Sequence, residues 1–358
     1  MTAPPLTAAQ RVERLTRIVK WVALLSIIAS LLGQKSRLGD WLYPTLIGVP
    51  LAVAAIRGRD KAFMLWALYA LSFNMFMAIR GLATIVRDVV YVTYPIMLDR
   101  LIGLGSVPTI TLQLLAQSPG RVSVVDWAAI VVHLSYYPVP PLAAIGLALW
   151  ARDRLPRYLV AISVMYLTGA LIHVLVPTAP PWLAAEWGAL PPVHRIIADV
   201  LGAIAPEFFR YGLGVAGGND VAAMPSLHAA AAFLVAIAMS GGARSARLVG
   251  WGYAVAMTTS LVYLGEHYVV DALAGLALAG ASWYVAPKLL RQVGDIRILP
   301  LSEPSPVTTI ATNPRRAVTA PAPGSPPRRI GVPMIALVFG AVALALYALF
   351  VRFGGTFE

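Results

Sequence analysis

Two histidines and an aspartate lie within one stretch, residues 217–275, in a pattern suited to nucleophilic and acid–base chemistry. His228 and His267 each stand at the start of a long apolar segment, and one apolar segment separates them. If all three segments cross a membrane, the chain returns both histidines to the same face. Asp271 follows His267 by four residues, a spacing that puts both side chains on one face of a helix. A carboxylate so placed holds an imidazole in one tautomer, and the second histidine is then available as an acid. Pro225 suits a first-turn position, and Ser226 can cap the helix or bond a phosphate oxygen. Free N–H groups and the helix dipole at two such helix starts favour an anion, and a phosphate held between them is the natural ligand.

Blander readings compete with this one. A lone membrane histidine is more often a hydrogen-bonded structural group, and His133 and His173 are read that way. Two histidines and a carboxylate can also bind zinc. The chain lacks H-E-x-x-H, however, and the His267–Asp271 spacing is better suited to orienting a nucleophile or base. No metal and no cofactor is expected.

The elements that must position these residues are set by composition. The 358 residues are 59% hydrophobic and 12% charged, with a mean hydropathy of +0.75. A soluble domain carries about twice that charged fraction. Several apolar runs are long enough to cross hydrocarbon, and without strand-like alternation they must be helices that satisfy their own backbone. The fold class is therefore all-α, a polytopic membrane bundle. The absence of cysteine excludes disulfide and thiolate chemistry. The net charge of +12 resides mostly in short turns between spans. It is read as a topology signal beside anionic lipid, and no nucleic-acid partner is expected. The first apolar run lacks a small-residue cleavage site and reads as an anchor.

Spans are expected at about 17–32, 41–56, 62–79, 124–150, 158–176, 221–239, 248–264, 268–285 and 330–350. Pro138, Pro140 and Pro141 should kink or break the fourth. The organisation is three N-terminal spans in 1–82, an outer interfacial amphipathic segment in 83–123, and a membrane core in 124–290. A disordered linker follows in 291–329, then a last span in 330–358. A second amphipathic helix is expected at 194–210. With the N-terminus inside, the basic turns at 57–61, 152–157, 244–247 and 288–291 all fall on the cytoplasmic side. Lys35 and Arg37 are the exception. Both His228 and His267 then face outward, across a multi-pass plasma membrane.

Three blocks resemble the type 2 phosphatidic acid phosphatase superfamily of integral membrane lipid phosphatases and phosphotransferases. Pro225-Ser226-Leu227-His228 is similar to its P-S-G-H block. Ser260, His267 and Asp271 match the spacing of S-R-x5-H-x3-D, with Leu261 in place of the arginine. The family's K-x6-R-P block is not found. A proline block, Pro177-Thr178-Ala179-Pro180-Pro181-Trp182, makes the chain similar to the branch containing inositol phosphorylceramide synthase. The similarity spans roughly residues 90–286.

The resemblance implies a role for each residue. His267 attacks phosphorus and becomes a phosphohistidine, Asp271 orients its ring, and His228 protonates the leaving alkoxide and then activates the acceptor. Water as acceptor gives a phosphatase, and a hydroxyl gives a phosphotransferase. Loss of the family's cations favours a phosphodiester, and hence transfer, unless Arg195, Arg210, Arg100 or Arg80 folds over the site. Asn219, Asp220 and Glu266 are candidates for binding a polar headgroup, with turn or cap residues as the alternative. Pro180, Pro181, Trp182, Tyr136 and Tyr137 are candidate substrate contacts, with interfacial anchoring of the aromatics as the alternative. The expected substrate is a phospholipid or polyprenyl phosphate at the outer leaflet. Transfer of an inositol-phosphate or similar headgroup is favoured over hydrolysis. A noncatalytic lipid transporter or scaffold is the competing class, and it lacks support from an inverted repeat.

Overall fold

The computed structural model describes residues 46–54, 60–82, 90–117, 121–206 and 220–292. Expected spans at 17–32 and 330–350, the ends of the one at 41–56, and the linker at 297–329 lie outside these residues. The described chain is helical: α1 (Asp60–Leu82), α2 (Thr93–Ile102), α3 (Pro108–Ala116), α4 (Val124–Leu134), α5 (Val139–Trp150) and α6 (Leu155–Leu175) come first. Then follow α7 (Pro181–Glu186), α8 (Ile196–Ile204), α9 (Leu227–Met239), α10 (Arg244–Tyr263) and α11 (Val269–Gln292). A helical stretch at 46–54 precedes α1. No strand occurs among the described residues; the extended pairing is limited to isolated bridges, Tyr91 to Thr178 and Thr178 to Ala222.

Two of these helices, α6 and α11, are long and apolar enough to cross a membrane, and the bent pair α4–α5 makes a third candidate. The bend of 56° between α4 and α5 is the break expected from the prolines. Pro138 is the N-cap of α5, and Pro140 and Pro141 occupy its first turn, where no N–H is needed. The expected span 221–239 is shorter as a helix. It starts at Leu227, because Ser226 accepts the Ala229 N–H as N-cap, and the residues before it form a turn, an isolated bridge and a bend. The amphipathic helix expected at 194–210 is likewise confined to α8 in the described chain. Of the expected outer segment, the described residues 90–117 hold two short helices, α2 and α3, with exposed apolar residues including Met97, Leu101, Leu104, Leu114 and Leu115.

Helix α9, LHAAAAFLVAIAM, is buried on nearly every face and lies at the centre. It packs against α5, α6, α10 and α11, while α1 covers α6 from outside. Alanine and glycine let these backbones approach closely, which replaces the hydrophobic drive that lipid removes. At Gly275 an added Cβ would stand 2.5 Å from the Ser226 carbonyl oxygen. Gly280, one turn on, faces open space. Tyr166 of α6 stacks between Tyr69, Phe73 and Phe76 of α1. His173, one end of this cluster, donates from Nε2 to the Pro225 carbonyl at 2.9 Å, the structural role expected of it.

Gly275→Ala should therefore lower stability by about 1–3 kcal/mol through overpacking, and Gly280→Ala should be neutral. Thermal unfolding of the two variants in one detergent checks the contrast.

Candidate active site

His267 lies between α10 and α11, where the chain turns at Leu264–Gly265 with Gly265 at φ +80°. Its ring is almost fully buried. Nδ1 stands 2.9 Å from the Ala223 carbonyl oxygen and 3.4 Å from Asp271 Oδ2. Both neighbours are acceptors, so Nδ1 carries the proton and the lone pair is left on Nε2. Asp271 was expected to fix the tautomer; the Ala223 carbonyl is the closer partner and shares that role. Asp271 is fully buried, and its Oδ2 also accepts the Tyr268 N–H at 2.8 Å.

Ala223 is held by a three-stranded stitch of loops. Thr178 donates its N–H to Val221 and accepts that of Ala223, while Tyr91 bridges to Pro177 and Ala179. Tyr94 of α2 bonds Thr178 Oγ1 at 2.7 Å. The proline block thus acts on His267 at one remove, by placing the carbonyl that orients its ring.

His228, half-buried in the first turn of α9, brings its ring to 5.9 Å from that of His267 between centroids. His133 packs against it at 4.7 Å and Tyr136 at 4.2 Å. His133 was read as a structural group, and its ring packs directly against that of His228. Tyr137 sits one ring further out, edge-on to Tyr136 at 5.3 Å.

Beside His267, Glu266 pairs with Arg195, Nε to Oε1 at 2.8 Å and Nη2 to Oε2 at 3.5 Å. The Arg195 guanidinium lies over Trp182 at 4.1 Å. Burial alone would push the Glu266 carboxyl up, but the charge and hydrogen bonds of Arg195 outweigh it and hold the carboxyl below its usual range. Burial likewise opposes the Arg195 charge, and the carboxylates of Glu266, Asp220 and Glu186 overcome that and raise its pKa. Gln113 of α3 secures this arm. It accepts the His194 N–H and donates to the carbonyls of His194 and Tyr263, each within 2.9 Å.

A family model of the PAP2 superfamily matches residues 96–285. The chain belongs to the PAP2 superfamily. It is 29% identical over 174 residues to the inositol phosphorylceramide synthase catalytic subunit aur1 of Schizosaccharomyces pombe, covering 47% of this chain and 41% of that protein. It is 30% identical over 184 residues to a phosphoinositol dihydroceramide synthase of Bacteroides thetaiotaomicron, covering 45% of this chain and 55% of that protein. The chain thus spans about half the length of these curated relatives. No solved structure matches.

The remaining expected residues divide by position. Within this PAP2 core, Ser226 is fully buried as the α9 cap, and Pro225 precedes that cap instead of lying in the first turn. Pro180 and Pro181 are buried at the start of α7, where they lead the Trp182 backbone N–H to donate to the Gly265 carbonyl at 3.2 Å. They frame the site, and only Trp182 meets its charged groups. Asp220 lies within electrostatic reach of Arg195. Arg100 is exposed at the end of α2. Asn219, Arg210 and the Arg80 side chain lie outside what is described.

Part of the amide set at the two helix starts is committed within the protein. Ala229 N–H is taken by Ser226, and Val269 and Val270 N–H are taken by the Asp99 carboxylate at 3.1 and 2.9 Å. Asp99, fully buried on α2, is a residue that sequence reasoning missed. It stands 170 positions from its partner and belongs to no motif. Burial raises its pKa, the two amides lower it, Asp271 raises it again, and the result is about 6.

A folded pKa above the unfolded value of about 3.9 means the contribution is full below pH 4 and is lost as pH rises through about 6. Asp99→Asn, whose amide oxygen still accepts an N–H, should remove about 1–3 kcal/mol of this pH dependence. Unfolding midpoints at pH 4 to 7 for both proteins check the flattening.

Proposed function

We propose that the protein is a membrane-embedded phosphotransferase that moves a phosphate-linked headgroup between lipids at the outer leaflet, through a phosphohistidine on His267. The observation that carries this reading is the His267 ring, with its Nδ1 proton held by Ala223 and Asp271 and the His228 ring beside it at 5.9 Å. A nitrogen lone pair, an orienting carboxylate and a second imidazole are the parts a covalent phosphoryl transfer needs.

In the first half, His267 Nε2 attacks phosphorus and forms a P–N bond. The P–O bond to the lipid breaks, its electron pair stays on the leaving oxygen, and His228 supplies the proton that makes it an alcohol. Asp271 stabilises the positive ring. In the second half, His228 takes the proton of an acceptor hydroxyl, the oxygen attacks phosphorus, and the P–N pair returns to His267. His133 and Tyr136 hold the His228 ring against the site throughout. This scheme assigns no metal.

The names of the relatives support inositol phosphate as the headgroup and a ceramide-like hydroxyl as the acceptor. Electrostatics supports a diester over a monoester. Arg195 is paired with Glu266, the residue before His267, and that carboxylate already balances it. Such a site tolerates one phosphate charge better than two. The facing is supported by the basic turns, since Arg152 to Arg157, Arg244 and Lys288 lie at the helix ends opposite His228 and His267.

Purified protein in lipid, with chelator and labelled phosphatidylinositol, should yield a new phosphodiester when a ceramide is added, without free phosphate. His267→Ala should abolish the product, and His228→Ala should slow it about 10²–10⁴-fold. Release of inorganic phosphate from a lipid or polyprenyl monophosphate would establish the phosphatase reading instead, and loss of activity with chelator would overturn the metal-free route. Both variants retaining full function would point to a lipid-binding scaffold. Arg195→Ala should raise KM at least tenfold while leaving the labelled phosphohistidine competent to form, which steady-state and rapid-quench measurements separate.

A further inference from the structure

At the end of the bundle opposite the histidines, the start of α6, the end of α9 and Trp283 of α11 border a half-open cavity of about 430 Å³. Arg154, Arg157, Trp283, Asp153 and the backbone around Ala238 and Gly241 line it. Arg154 is tied down, donating to the Ala238 carbonyl at 3.5 Å and to the Gly241 carbonyl. Arg157 spends one donor, Nε to the Trp283 carbonyl at 3.0 Å, and its guanidinium lies 4.1 Å over the Trp283 ring. Its terminal amino groups make no hydrogen bond among the described residues. Asp153, the acid in the lining, is 82% exposed and reaches only 4.0 Å from Arg154.

Depth identifies what meets this cavity. Trp251, Trp283 and Tyr284 ring the same end of the helices, and Lys288 sits over Tyr284 at 4.3 Å. Such aromatic and basic residues mark the level of lipid headgroups. A planar guanidinium with open paired donors is matched to phosphate oxygens. Capping a helix end accounts for Arg154, but not for the stacked, half-committed fork of Arg157.

We infer that this cavity binds the phosphate of an anionic membrane phospholipid, in the leaflet opposite the histidines, with Arg157 as the principal ligand. The site is distinct from the proposed active site and does not depend on which reaction is catalysed there. Basic pockets between membrane helices at headgroup depth are suited to such lipids.

The test compares wild type and Arg157→Gln in nanodiscs of phosphatidylcholine with phosphatidylglycerol, counting lipids retained by native mass spectrometry. Wild type should retain phosphatidylglycerol over phosphatidylcholine, and Arg157→Gln should lose about fivefold of that preference. Asp153→Asn, which removes the exposed acid, should increase retention and serves as the folded counterpart should Arg157→Gln be unstable. Unchanged preference in both variants overturns the proposal. A thermal shift produced by inorganic phosphate in detergent without lipid, equal to that from phosphatidylglycerol and absent in Arg157→Gln, would assign the site to free phosphate and overturn the lipid assignment.

Discussion

The arrangement depends on one hydrogen bond, from His267 Nδ1 to the Ala223 carbonyl. It decides which ring nitrogen is basic, and it requires that two separate helix starts be fixed against each other. Ser226, at the head of α9, donates its N–H to the Asp271 carbonyl of α11 at 3.0 Å, and Gly275 lets those backbones touch. A side chain at Gly275 would push α11 away from Ser226 and, with it, move His267 from Ala223. The small residues in the core are therefore a condition of the site geometry as much as of packing.

Carboxylates hold the same end together, each in a different way. Asp99 caps α11 from α2, Asp271 caps it from within while facing His267, and Glu266 is neutralised by Arg195. A negative group at a helix N-terminus is favoured by the dipole, which offsets part of the desolvation cost of burying it. The consequence is that two first-turn amides of α11, groups that would otherwise favour an anion, are spent on the Asp99 carboxylate.

The candidate constellation was legible because its spacing is local. His267 and Asp271 are four residues apart, and His228 lies one helix pair away, so periodicity alone brings them to one face. The break at Pro138 and the helical class were legible for the same reason. What could not be read was set by long-range contact. Asp99 meets Val269, Gln113 meets Tyr263, and Thr178 meets Val221, and no motif marks any of these pairs. His133 was set aside because a single histidine on an apolar face carries no local sign of its partner. The start of α9 was misplaced because apolarity continues from 221 to 239, while the helix is defined by the Ser226 cap.

On the proposed reading, the charge distribution also bears on selectivity. Asp99, Asp271, Glu266 and Asp220 lie at the histidine end, whereas Arg154, Arg157, Arg244 and Lys288 lie at the other. At an effective dielectric of about 20, one more negative charge on a substrate about 8 Å from a carboxylate costs about 2 kcal/mol for each carboxylate left unbalanced. Arg195 can balance one such charge, and it is already shared with Glu266. On that reading a monoester dianion is disfavoured against a diester. The reacting residues can be the same in both; the balance of carboxylates and cations around them decides which ester they meet.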